Sequence, residues 1–349
     1  MRDVAKAVGC SMYAVSSALN NRGRISTAVR SRIVEESRRL GYRLNPYISA
    51  AMASARGGKV KSEIGTIAII SLSMQDQIES QMRRQFEVYY DSMLEGARRR
   101  ADELGFKTET VWLDKMGISL DRLNNVLQAR GIQGVVMLPN CRYRDFSNFP
   151  WEAYSPVQLF PTHSSPRLHR ASVDFHRGVH CAVDELQRRG YQRPGFFVEE
   201  FRDELVEKRW SSAFLAVLMR LAKINRVPVF IKKQIEAKKF LKWYEAHHPD
   251  VLIGHCHDAI TWLEEAGYKM PGDFGFFSLN RLLTGEDCSG LDHRPNEIGA
   301  LGIDMVVGQI YRNERGIPSV PRTVLIDADY VDGSSLAHPV HVTPSYTTA

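Results

Sequence analysis

The chain is 349 residues long, more than one small core at about 150 residues per domain, and its 44% hydrophobic content is that of a globular protein. No apolar run reaches the ~18 residues that cross a bilayer, no secretory leader is read at the N-terminus, and five scattered cysteines (Cys10, Cys141, Cys181, Cys256, Cys288) point to reduced thiols in a cytoplasm. Residues 1–60 hold 11 Lys and Arg against three Asp and Glu, net +8, whereas the remaining 289 hold 35 against 37, net −2, so the basic excess marks one end as a module for a polyanion.

The first helix is expected over Asp3–Val8, with Val4, Ala5 and Val8 on one face. Gly9-Cys10 breaks it. Ser11 is a good N-cap for a second helix, Met12–Leu19, in which Val15 and Leu19 are four apart. Asn20-Asn21-Arg22-Gly23 reads as a turn. Ser26 or Thr27 then caps a third helix that carries Val29, Ile33 and Leu40 and stops at Gly41. The spacing Ala5, Gly9, Val15 supplies a small residue where two helices cross, a glycine at the turn and an apolar seal. That is the helix-turn-helix arrangement, and it points Met12, Tyr13, Ser16 and Ser17 outward, where base edges would lie.

Residues 44–58 (LNPYISAAMASARGG) read as a further short helix, started by Pro46, propagated by alanines and ended by Gly57-Gly58, marginal on its own; a flexible linker is the alternative. Beyond it, apolar strands and amphipathic helices alternate. IGTIAII (64–70) is the first buried strand and residues 89–106 the first helix. Further strands are read at 108–113, 134–139, 156–160, 193–198, 228–231, 250–255 and 273–279. Helices are read at 120–132, 178–191, 209–223, 238–248, 259–268 and from 298. Residues 322–336 close the chain with strands. The alternation predicts doubly wound α/β, twice over.

DVAKAVGCSMYAVSSALNNRGRIS and VRSRIVEESRRLGYRLNP resemble the headpiece of LacI/GalR transcription regulators. ASVDFHRGVHCAVDELQRRGY, MPGDFGFFSLN, EIGALGIDMVVGQI and VDGSS resemble the family's regulatory domain, shaped like a periplasmic sugar-binding protein. The resemblance implies an all-α helix-turn-helix headpiece (1–44), a hinge helix and linker (45–61) and a body of two doubly wound parallel-sheet lobes (62–340) that binds effector and dimerises. Residues 341–349 are expected to be a disordered tail.

As partners it implies operator DNA, a homodimer mate and a sugar-like small-molecule effector, with no cofactor. Candidate DNA contacts are Ser11, Met12, Tyr13, Ser16, Ser17 and Asn20, with Tyr42 and Asn45. Arg22, Arg24, Arg30 and Arg43 are candidates for the phosphates. The family's minor-groove leucine falls on Ala53, with Met52 beside it as the expected wedge. Ser17 stands where many members carry a guanine-reading arginine, and a serine lacks that bidentate fork. The chain starts at the first helix, without the few residues that precede it in relatives.

Ligands of such sheets bind outside the carboxyl ends of the strands. That rule nominates Ser71, Ser73, Pro139, Asn140 and Phe160 in the first lobe, and Glu199, His255 and Asn280 in the second. The resemblance adds Tyr89, Asp174 and Arg209. Asn280 replaces a common Asp, and GHCHDA replaces the usual Asn-Asp, so the ligand contacts have diverged. Tyr89, Tyr90, Trp210 and Trp243 are candidates to stack on a ring. HCHD (255–258) lacks a partner motif of zinc spacing, and no nucleophile or phosphate-loop motif sits in a convincing setting. The expectation is a ligand-responsive DNA-binding repressor and not an enzyme; a solute-binding protein without DNA function is the alternative.

Overall fold

The computed structural model describes residues 1–19, 25–40, 64–71, 80–113, 117–139, 144–161, 164–285 and 287–337. The expected turn at 20–23, the hinge helix, Gly41, Tyr42, Arg43, Asn45, Met52, Ala53, Ser73, Asn140 and the tail lie outside them. So do Asn20, Arg22 and Arg24.

Three short helices form the headpiece: α1 (Arg2–Val8), α2 (Met12–Leu19) and α3 (Thr27–Arg39). Gly9 ends α1 in the left-handed region, at φ 72°, which a glycine enters without a Cβ penalty. Ser11 Oγ accepts from the Ala14 N–H at 3.1 Å and starts α2. Ser26 Oγ accepts from the Val29 N–H at 3.4 Å and starts α3. Val4, Ala5, Val15, Ala18 and Ile33 are buried together at the centre. The Arg30 guanidinium donates to the Ala18 carbonyl and that of Arg32 to the Val8 carbonyl, each at 3.5 Å, so both cations sit at helix C-termini, where the helix dipole favours them.

The body continues with β1 (Gly65–Ser71), α4 (Ser80–Glu103), β2 (Phe106–Trp112), α5 (Leu120–Ala129), β3 (Gly134–Met137), β4 (Arg144–Asp145), β5 (Ser155–Leu159), β6 (Ser164–Ser165) and β7 (His169–Val173). Next come α6 (Phe175–Arg188), β8 (Pro194–Glu199), α7 (Glu200–Leu205), α8 (Arg209–Arg220), β9 (Phe230–Lys232), α9 (Ala237–His247), β10 (Val251–Gly254) and α10 (Asp258–Glu265). The chain ends with β11 (Gly275–Ser278), α11 (Arg281–Thr284), β12 (Gly290–Asp292), α12 (Pro295–Arg312), β13 (Thr323–Ile326) and β14 (Asp329–Val331).

Two six-stranded sheets result. The first, in the order β13-β7-β5-β3-β1-β2, is parallel throughout. The second, β14-β12-β11-β10-β8-β9, is parallel except for β14. Ile67, Ala68, Ile69 and Ile70 of β1 are all buried, as a strand covered on both faces requires. Helix α4 begins nine residues before the expected start at Tyr89, because SQMRRQFEV has no apolar period to reveal it. Strands β7 and β12 escaped the sequence reading: HRASV lacks an apolar run, and GLD is too short.

The chain passes between the lobes three times. It crosses after β7, at Asp174; after β12, at His293-Arg294; and between β13 and β14, at Asp327-Ala328. The Asp174 N–H donates to the Ile326 carbonyl at 2.9 Å, and Arg177 pairs with Asp327 at 3.0 Å, so the first and third crossings are tied together. Arg294 pairs with Asp329, which ties the second to the third.

Candidate functional site

The face that α2 offers to solvent is built by length and phase. Met12 is 54% exposed and Tyr13 79% exposed. Ser16 is half-buried. Ser17 departs from the expectation: it is 8% exposed. It lies one turn after Tyr13 on the same helix face, but its side chain ends at Oγ whereas the tyrosine extends into solvent. The exposed side chains of α2 among the candidates are therefore Met12 and Tyr13. Ser11 is exposed, but its hydroxyl is engaged as the cap of α2.

A cleft opens between the lobes. The first lobe contributes Phe86, Tyr89 and Tyr90 from α4 and Pro139, Phe160 and Pro161 from the strand ends. The second contributes Phe175, Arg202, Trp210, His255, Asn280 and His293, with Leu205, Val206 and Leu283. Its walls are aromatic. Ring centroids lie 5.7 Å apart for Tyr89 and Phe160, 5.8 Å for Phe160 and Phe175, 5.5 Å for Phe175 and Trp210, and 5.2 Å for Trp210 and His255. Phe160 holds a left-handed backbone, φ 60°, uncommon for a bulky residue and a feature that clusters at ligand sites.

Two polar groups of the cleft are engaged by the protein itself. Tyr90 Oη donates to the Pro139 carbonyl at 2.5 Å. Arg202 Nε donates to Glu199 Oε2 at 3.2 Å, and its guanidinium lies 5.8 Å from the Phe86 ring centre. Four buried side-chain atoms have no geometric hydrogen-bond partner: Trp210 Nε1, His255 Nδ1, Asn280 Oδ1 and His293 Nε2; backbone groups lie near the two histidine rings, that of His255 itself and that of Leu279. They are four of the six such atoms among the described residues, and they share one cavity. Each buried polar group left unpaired costs about 1–3 kcal/mol. Such a set is what a ligand with polar groups would satisfy.

Burial pushes the His255 imidazole well below its ordinary pKa, and nearby Arg202 adds to the effect. Burial pushes His293 down to about 4. Both rings are neutral at pH 7.

Of the residues nominated from sequence, Tyr89, Tyr90, Pro139, Phe160, Trp210, His255 and Asn280 line the cleft. Ser71, Asp174, Glu199, Arg209 and Trp243 do not. Ser71 is buried at the end of β1, away from the lining. Asp174 Oδ1 accepts from the Arg177 N–H at 2.9 Å and caps α6. Arg209 pairs with Glu207 at 2.8 Å, and its neighbour Trp210 faces the cleft instead. Trp243 is in the second lobe's core, its Nε1 donating to the Pro228 carbonyl at 2.9 Å. Phe175, Arg202 and His293 were missed. The strand-end rule reaches His293, which follows β12, but that strand was not legible.

Among the described residues no group of three or more His, Cys, Asp or Glu is placed to hold a metal ion. Among them, too, no helix is long and apolar enough to cross a membrane.

Residues 1–45 match the family model described as bacterial regulatory proteins, lacI family. A comparison with curated proteins found no match. The fold is similar to that of the transcriptional regulator CelR in complex with cellobiose: 17% identity over 95% of this chain and 98% of that one, TM-score 0.56. It is similar to the lac repressor dimer bound to operator and the anti-inducer ONPF, at 14% identity over 96% and 98% of the two chains, TM-score 0.53. A LacI-family regulator from Rhizobium etli, 16% identical, covers 78% of this chain and 99% of its own, TM-score 0.57.

Proposed function

We propose, for a chain that belongs to the lacI family of bacterial regulatory proteins, that it is a cytoplasmic homodimeric repressor whose affinity for a near-palindromic operator is set by a small molecule in the cleft. The chain is a DNA-binding transcription regulator with an effector domain, of a family without enzymes. The observation that carries the finer reading is the pairing of that headpiece with a two-lobed body whose cleft gathers four unpartnered polar atoms.

Met12 and Tyr13 would supply base contacts in the major groove, and the arginines, Arg30 among them, salt-dependent affinity. A ligand touching both lobes would change their relative orientation through the three crossings. That alters operator affinity only where the ligand binds the two arrangements differently. The complexes with cellobiose and ONPF belong to proteins of 14–17% identity, so they support a small-molecule site here without naming its ligand.

The test is selection of random duplex DNA by the full chain, followed by a salt titration on the retained sequence. The expected outcome is a near-palindrome whose affinity falls steeply as salt rises. Affinity that is indifferent to salt would overturn the reading.

A further inference from the structure

The cleft carries information about ligand chemistry, and the inference here rests on its reading as the effector site. We infer that the effector is a phenolic compound, a planar aromatic ring with a hydroxyl and few other polar groups, and not a sugar. Six aromatic rings line the cleft: Phe86, Tyr89, Tyr90, Phe160, Phe175 and Trp210. They come from both lobes, so a flat ring between them meets aromatic faces and edges on two sides, the geometry in which such pairs are most favourable.

The polar groups fit the same class. A hexose brings about five hydroxyls, each a donor and an acceptor. Among the described residues the lining contains no carboxylate, no serine and no threonine, and a single amide, Asn280. Among the described residues Arg202 is the one side chain of the lining with a permanent charge, and Glu199 already holds it. Tyr90 is likewise engaged with the Pro139 carbonyl, so against these residues a buried sugar would set several hydroxyls on aromatic carbon, and each unpaired group weakens binding.

A phenolic hydroxyl needs one acceptor and one donor. The cleft offers the Asn280 Oδ1 acceptor and the Trp210 Nε1 donor, with His255 Nδ1 beside the Trp210 ring. The two histidines are uncharged at pH 7, so they serve a neutral hydroxyl and add no positive charge that would call for a polyanion.

The experiment is titration calorimetry on the full chain with 4-methylphenol, catechol and glucose, repeated on Asn280→Ala and Trp210→Phe. The expected result is saturable heat from at least one phenol and none from glucose. Each substitution should weaken the phenol by about tenfold, the scale of one hydrogen bond. Absence of saturable heat from both phenols would overturn the inference. So would phenol binding that neither substitution changes, because the site would then lie elsewhere. Glucose binding weakened by Asn280→Ala would overturn the phenolic class while leaving the effector cleft standing. Failure of the regulator reading itself would show in the duplex titration, which uses no ligand.

Discussion

Tyr89 Oη and His293 Nδ1 lie 3.5 Å apart, joining a helix of the first lobe to the second crossing between the lobes. Burial, helped by Asp292, holds the tyrosine's pKa well above its ordinary value, so its hydroxyl stays protonated beside the neutral ring, and the ring's tautomer sets which of the two donates. His293 titrates near 6.5 when unfolded and near 4 when folded. The unfolded state therefore takes up the proton first. The stability is fully present above about pH 6.5 and is lost as pH falls toward 4. His255, also depressed by burial, acts in the same direction. The melting midpoint should fall between pH 7 and pH 5, at up to about 1.4 kcal/mol per pH unit per histidine. His293→Asn should flatten that fall; an unchanged slope in the variant would count against the assignment.

The first lobe depends on two glycines where α4 meets α12. A Cβ on Gly299 would collide with the Met93 carbonyl, and one on Gly96 with the backbone of Asn296. In each case the obstacle is main chain, which yields only if the helices separate. Gly299→Ala should destabilise the chain by about 1–3 kcal/mol net, even though helix propensity alone would return about 1 kcal/mol. Urea unfolding of the variant measures it; a midpoint equal to or above the parent's would refute the close approach.

How far the sequence reaches depends on the range of the interaction. The headpiece is legible because its signals are local: Gly9 at a left-handed turn, Ser11 and Ser26 as caps, Val15 packed with Ala5. The strands β1, β8 and β10 are legible as apolar runs. Within the cleft, Tyr89, Phe160, His255 and Asn280 were reachable from strand ends and family resemblance. Arg202 was not: EFRDEL carries no strand-end or family signal that singles it out, and only the tertiary fold turns that arginine onto Phe86. Asp174 and Arg209 look like ligand contacts by resemblance, yet local geometry commits them to a helix cap and an ion pair.

The second lobe is closed by Arg189. Its Nε donates to Glu185 at 2.7 Å, one Nη to the Ala337 carbonyl at 3.0 Å and the other to Tyr330 Oη at 2.9 Å. The guanidinium also lies 5.7 Å from the Tyr330 ring centre. It thus fastens β14 and the segment after it to α6. Glu185 and Arg189 are both buried, and Glu185 is shared between Arg189 and the exposed Arg188. Arg189→Ala leaves the carboxylate with Arg188 alone, so chemical denaturation should show a loss below the about 3–5 kcal/mol of a fully stranded buried charge. Arg189→Ala with Glu185→Gln should recover part of it, since the half-paired charge is then gone. A double variant as unstable as the sum of the singles would argue against a coupled pair.

The headpiece gives the sharpest separation between two neighbouring side chains. Tyr13 projects from α2 and Ser17, one turn later, is buried. A side chain that reaches a base edge contributes about 1–3 kcal/mol of discrimination, whereas one that only meets phosphate weakens all sequences alike and alters the salt slope. Tyr13→Ala should therefore change the base preferred at one position of each half-site and leave the salt slope intact. Ser17→Ala should leave the selected sequence as it was. Arg30→Ala should behave differently again. It should lower affinity across all sequences and reduce the salt slope by about one, with some loss of headpiece stability from the Ala18 carbonyl it also holds. Selection on the three variants side by side checks this. A shift in base preference from Ser17→Ala, with none from Tyr13→Ala, would return the reading role to the serine and mean that α2 rotates when it meets DNA.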